Sequence, residues 1–247
     1  MVCRTKSRCR RYGSVVEEHR DQHGGVDKAL HFFPGPKQLL WLVAGKVALR
    51  AESWGGETPK PGHVDPVMQP RPTTPGRYVV WSYAPYKTRT WAWSKIKWGT
   101  PIKPGPNNTV LFAVGVHPTW QTLADRQGTP FTQDEVKREY WKLYGKYELP
   151  PVWLLNDFGP YSLRYFRDTN HNRKLDGNEH LSGEMIHTTP LNEAQTARSK
   201  PVKLESSHGC IHVKPRDRDA FRAAGAFDRG TLLIVHQYSD LIPKPWR

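Results

Sequence analysis

Only three of the 247 residues are cysteine, and two of them, Cys3 and Cys9, fall in the first nine positions. So few thiols exclude a disulfide framework, and no CxxC…HxxxH combination builds a structural zinc site. A Cys3–Cys9 bridge would stabilise little in so polar a tail, so both read as incidental thiols. Long apolar runs are missing too. The longest, LLWLVAG at 39–45, is far short of a membrane span, and no apolar stretch follows the basic N-terminus as a secretory signal requires. Acidic residues number 23 against 37 basic ones, leaving a formal net charge of +14. That excess implies a polyanionic partner, or a basic surface used only for long-range steering. Nucleic acid is not the expected partner, because there is no aromatic RNP-type strand, no helix-turn-helix and no zinc-finger spacing. Anionic lipid and a carboxylate-rich cell-wall polymer are left.

What the chain does have is aromatic mass and turn formers. Ten Trp, ten Tyr and eight Phe give a large burial per residue, and 22 Pro with 20 Gly point to β structure with many turns. Residues 1–36 are polar and aperiodic, so they read as a flexible basic N-terminal extension, followed by a single domain over 37–247. QLLWLVAGKVALRAES has two β-prone runs about Ala44-Gly45, a hairpin by composition. A Pro/Gly-rich loop follows it, then strands in TTPGRYVVWSYA and NNTVLFAVGVH, with KTRTWAWSKIKWG expected as a strand pair. Thr132 and Glu135 form a capping box for a helix that ends at Gly145. VWLLNDF, YSLRYFR and EMIHTT read as strands, RDRDAFRAAGAF as a short helix, and TLLIVHQY as the closing strand. The fold class expected is mainly β with one or two helices.

The third cysteine stands in SSHGCIHV, residues 206–213. A thiol becomes a nucleophile when a histidine within reach takes its proton and backbone donors wait for the oxyanion. Gly209 before Cys210 lets a substrate approach the backbone without a Cβ in the way. Strand alternation would put His208 on the face of Cys210, but a base more often comes from another element, which favours His187 in GEMIHTTP. The alternatives are a buried structural thiol among core histidines, or a zinc site drawn from His187, His208, Cys210 and His212.

SSHGCIHV resembles the active-site signature of the L,D-transpeptidase (YkuD-like) catalytic domain, an upstream histidine and then a Ser/Thr-His-Gly-Cys run. The resemblance extends to WLVAGKVALRAES as an opening hairpin, RPTTPGRYVV as its TPxGxY turn and strand, and FGPYSLRYF…EMIHTTP as the strand pair bearing the histidine. SHGCIHVKPRD and GTLLIVH complete it, so it spans 38–237 in order. Two departures stand out: His212 replaces the usual Arg or Asn, and the gap from His187 to Cys210 is wider than usual. The resemblance implies an L,D-transpeptidase-like β-sandwich or barrel. It also implies a cysteine transpeptidase that cleaves the L,D bond of peptidoglycan tetrapeptide stems and passes the acyl group to an amine, with no cofactor required. Cys210 would be the nucleophile and His187 its base, with Thr188 orienting the ring. Gly209, Ser207, His208 and His212 would form the oxyanion hole and pocket. Water in place of the amine would make an L,D-carboxypeptidase, and a secreted wall-modifying effector would use the same chemistry. A non-catalytic wall- or polyanion-binding module is the alternative from another class. Stem peptides and anionic wall polymer are the partners implied, and periplasm or cell wall the location. Without a recognisable Sec signal, cytoplasmic storage or a non-Sec export route is the alternative. Trp81, Trp91, Trp93 and Trp98 are candidates for a substrate groove or for ordinary core.

One insert stands apart. In RDTNHNRKLDGNEH, Asp168, Asn170, Asn172, Lys174, Asp176 and Glu179 occupy positions 1, 3, 5, 7, 9 and 12 of an EF-hand loop. Arg173 stands where that loop wants glycine. The expectation is a structural calcium bracing the hairpin that carries His187, against a polar hairpin tip that needs no ion.

Overall fold

The computed structural model describes residues 28–59, 62 and 68–247. Cys3, Cys9 and residues 1–27 of the expected extension lie outside them. The end of that extension needs correction, because KALHFF is strand β1 (Lys28–Phe33), with every residue after Lys28 buried. Apolar residues in succession suit a strand covered on both faces. β2 (Gln38–Val43) and β3 (Lys46–Trp54) form the expected hairpin. Its two-residue turn puts both Ala44 and Gly45 at positive φ, 50° and 71°, the geometry that matches strand twist.

β4 (Gly76–Ala84), β8 (Ser162–Arg167), β9 (Leu181–His187), β10 (Ile211–Val213) and β11 (Leu232–Val235) complete the main sheet. Its order is β1-β11-β4-β8-β9-β10-β3-β2, closing on itself as a barrel. Closure leaves no sheet edge unpaired. Leu30, Trp41, Val80, Tyr165, Ile186 and Ile211 point into its core and are all but inaccessible. The fold is therefore mainly β, as expected. Three α-helices, α1 (Gln133–Tyr144), α2 (Pro190–Ala197) and α3 (Pro215–Ala223), replace the one or two foreseen.

α1 carries the full capping box, with Thr132 accepting from the Glu135 N–H, and ends at Gly145 in the left-handed region at φ 74°. α2 was not expected, although Thr189 caps it and Pro190 opens it, a start signal the sequence displays. It fills the crossover between β9 and β10, which run parallel.

Between β4 and β8 the chain builds a second lobe on three short strands, β5 (Ile102–Pro104), β6 (Val110–Val114) and β7 (Thr119–Thr122), together with α1. The lobe has its own core of Ile102, Val110, Leu123, Val136 and Trp153. Here two strand expectations fail. In KTRTWAWSKIKWG the regular element is a single 3-10 turn, Ala92–Ser94. Trp93 stacks on Trp153 at 5.8 Å and accepts its indole N–H at 2.8 Å, so these aromatics fill the lobe core instead of lining a sheet. VWLLNDF makes only one bridge, Val152 to Pro101. Asn156 ends that run inward, its amide donating to the carbonyls of Tyr86 and Ile96.

Candidate active site

Register decides what meets at the seam of β9 and β10. Ile186 is the parallel partner of Ile211, and His187 of His212. Side chains alternate along a strand, so with the two isoleucines in the barrel core the two histidines share the other face. Their rings lie 4.9 Å apart at 77°. Cys210, one residue before β10, opens into the same cleft, a space of about 250 Å³ that His187 and His212 also line. His208 lines it too, but not by strand alternation. Residues 208 and 209 form a bend, and the His208 ring rests edge-on against Trp91 at 5.4 Å. Of the four candidate tryptophans, Trp91 lines the cleft. Trp93 belongs to the lobe core, and Trp81 packs on Phe166 beneath Arg229.

Each imidazole is fixed by a carbonyl. His187 Nδ1 lies 2.7 Å from the Thr188 oxygen, and His212 Nδ1 lies 2.9 Å from the Glu205 oxygen. A carbonyl only accepts, so Nδ1 carries the proton in both rings and Nε2 of the neutral form is left as an acceptor. Burial, and then the neighbouring His212, push the His187 pKa down to about 3. His212 is lowered as well, by burial first. Phe158 from the second lobe lies 5.0 Å from the His187 ring and helps to exclude water.

Behind His187 stands a buried polar chain. Thr188 donates through Oγ1 to Glu193 of α2, which is paired with Arg218 of α3. Gly159 of the second lobe, at φ 63°, presses against Thr188 so closely that a Cβ there would sit 2.2 Å from Oγ1. Thr188, whose carbonyl aims the ring, is thus held through its hydroxyl by Glu193 and packed against Gly159.

The cysteine turn closes on Ser207. Its hydroxyl donates to the Cys210 carbonyl and accepts the Gly209 N–H at 3.0 Å. Gly209 has φ 115°, and an added Cβ would lie 3.1 Å from Arg71 Nε and 3.2 Å from Glu184 Oε1. Only glycine fits that backbone without strain. Burial pushes the Cys210 thiol up to about 12; the Met185 N–H and Arg71 pull it down, and Glu184 adds to the rise. At neutral pH the cleft therefore holds a thiol and a neutral imidazole, not an ion pair.

Three groups here were not anticipated. Arg71 lines the cleft and lies 3.5 Å from Glu184, whose side chain is only 3% exposed. Glu184 also accepts the Thr74 N–H at 3.1 Å and its hydroxyl at 2.7 Å. Asp157 lies on the wall supplied by the second lobe, hydrogen-bonded to Ser94, and burial raises its pKa. No local pattern marks them, because Arg71 sits in a Pro-rich loop and Asp157 in a run that resembles a strand.

The zinc alternative has no support in the geometry, since among the described residues no three His, Cys, Asp or Glu side chains converge on one point. The 168–179 loop does fold as one hairpin tip between β8 and β9. Its polar atoms pair with each other: Asn170 and Asn172 donate through their amides to the two Asp176 oxygens, and Thr169 donates to Glu179. Lys174 donates its N–H to Asn172 Oδ1 at 2.7 Å. Asp168, buried, accepts the Arg173 N–H and lies 3.8 Å from Arg77 Nε. Arg173 takes the positive φ of 59° that the sixth position of such a loop needs.

No family model matches the chain, and no curated protein matches it. Among solved structures, a cysteine-to-serine mutant of the Enterococcus faecium L,D-transpeptidase aligns over 85% of this chain and 49% of its own, at 14% identity and TM-score 0.34. An L,D-transpeptidase from Mycobacterium smegmatis aligns over 86% and 60%, at 10% identity and TM-score 0.35. The isolated catalytic domain from E. faecium aligns over 86% and 99%, at 16% identity and TM-score 0.31. The chain thus spans about half of the first of these proteins. Likeness at this distance carries no activity across. No helix among the described residues is long and apolar enough to cross a membrane.

Proposed function

We propose that this protein is a cysteine acyltransferase acting on peptidoglycan stem peptides, an L,D-transpeptidase. One observation carries the reading: Cys210 and His187 line one cleft, with the imidazole held by Thr188 so that Nε2 is free to take a proton. With both groups neutral, the thiol loses its proton to Nε2 as sulfur attacks the carbonyl of the L-centre residue. The C–S bond forms, the C–N bond to the terminal D-amino acid breaks, and His187 returns the proton to the leaving amine. An incoming amine then reverses these events and restores the thiol. Because the Gly209 N–H is engaged by Ser207, the Cys210 N–H is the backbone donor this reading assigns to the oxyanion. The high positive charge suits stems and wall polymers rich in carboxylates. Incubation with tetrapeptide muropeptides tests the reading. Release of the terminal D-amino acid that is lost in both Cys210→Ala and His187→Ala supports it, and release that survives either substitution contradicts it.

A further inference from the structure

The sequence pattern and the chemistry above leave one question open in the cleft: what holds the free end of the substrate. We propose that Arg71 does so, binding the α-carboxylate of the D-amino acid that leaves and, in the second half-reaction, of the amino acid that replaces it. The proposal rests on the transpeptidase reading of this site.

Among the described residues that line the cleft, Arg71 is the only Lys or Arg; His187 and His212 beside it are held neutral by burial, and His208 completes the lining. Its side chain is 56% exposed, and its one ionic contact among the described residues is the 3.5 Å approach of Nη2 to Glu184. Glu184 takes its short hydrogen bonds from Thr74, so it tethers Arg71 without occupying the guanidinium fork. An Arg fork with unused N–H groups facing a cleft matches a carboxylate in two-point geometry.

The backbone supports this placement. A Cβ on Gly56 would lie 1.9 Å from the Arg71 carbonyl oxygen and 2.6 Å from the Gly209 nitrogen. Gly56 is therefore a thin spacer that sets Arg71 directly over the turn preceding the nucleophile. A Cβ on Gly209 would in turn touch Arg71 Nε, which places the guanidinium one van der Waals layer from the Gly209–Cys210 backbone. The amino acid that leaves and the one that enters occupy the same place relative to sulfur, since one step is the reverse of the other. One cation serves both, and water, which has no carboxylate, gains nothing from it.

The test measures binding apart from chemistry. In the Cys210→Ala protein, ligand-observed NMR compares a tetrapeptide ending in D-alanine with the same peptide ending in D-alanine amide. The free acid is expected to bind about 10- to 100-fold more tightly, the usual worth of a charge-assisted hydrogen bond. Adding Arg71→Gln should erase that preference by weakening the acid alone, while Arg71→Lys should keep part of it. Equal binding of acid and amide, equal weakening of both by Arg71→Gln, or no binding of either overturns the proposal. Turnover by the protein with Cys210 intact is scored separately. A carboxylate preference without D-alanine release would keep the anchor and discard the transpeptidase reading, and release without the preference would do the reverse.

Discussion

Cys210 and His187 are both held neutral by burial, the thiol at about 12 and the imidazole at about 3. A pre-formed thiolate–imidazolium pair would react with iodoacetamide at a rate that levels off near neutrality. The present arrangement predicts a rate at Cys210 that keeps rising from pH 7 through pH 10, because only the thiolate reacts and its share grows with pH. A plateau below pH 8 would show an ion pair instead. Ser207 holds this turn through two bonds with one hydroxyl. Ser207→Ala leaves the Gly209 N–H and the Cys210 carbonyl without that partner, and should cost about 1–3 kcal/mol in urea denaturation. Ser207→Thr should recover most of it, and no loss in the alanine variant would remove Ser207 from this role. Cys210, His187, Thr188 and Ser207 stood out in the sequence as residue types suited to a nucleophile, its base and their supports, and the fold brings Cys210, His187 and Ser207 to one cleft. Arg71 did not, since it comes within reach of Cys210 only through the close stacking of Gly56 on Gly209.

Among the elements, α1 was legible in detail, because capping and the left-handed exit at Gly145 depend on local backbone chemistry. The hairpin about Ala44-Gly45 was legible for the same reason. The strands expected around Trp93 and Trp153 were not, because aromatic runs satisfy a packed lobe as well as a sheet, and tertiary packing decides between them. Thr132→Ala should cost about 1 kcal/mol. Because the second lobe has a separate core, the loss should appear as faster amide exchange in α1 with the barrel strands unchanged. Uniform acceleration in both would mean that the two cores open together. In the hairpin tip at 168–179 the Asn170 and Asn172 amides already hold both Asp176 oxygens, so millimolar calcium is expected to leave the Tm unchanged. A rise of several degrees, abolished by Asp176→Asn, would bear out the calcium expectation.

For the whole molecule, the barrel brings three distant parts of the chain to one point: the loop before β4, the end of β9 and the turn into β10. Composition and pattern did not decide between the sandwich and the barrel that the resemblance implied, since closure depends on the parallel pairing of β1 with β11 across the length of the chain. Burial of His187 and His212 at this point has a thermodynamic consequence. The unfolded chain binds protons at these side chains as pH falls below 6.5, while folded His187 resists until about pH 3. The contribution of His187 to stability is therefore full above pH 6.5 and lost as pH falls toward 3, and that of His212 is lost in the same direction. Each proton adds a slope of about 1.4 kcal/mol per pH unit. His187→Gln should flatten the urea midpoint between pH 6 and 4, and an unchanged profile would place the acid sensitivity elsewhere. Acyl transfer through Cys210 is read out by intact-protein mass spectrometry during incubation with a tetrapeptide muropeptide. A thioester adduct is expected on the wild type, absent from Cys210→Ala and His187→Ala, with release of the terminal D-amino acid. The absence of both adduct and release in the wild type would contradict acyl transfer and leave a cleft that binds without reacting.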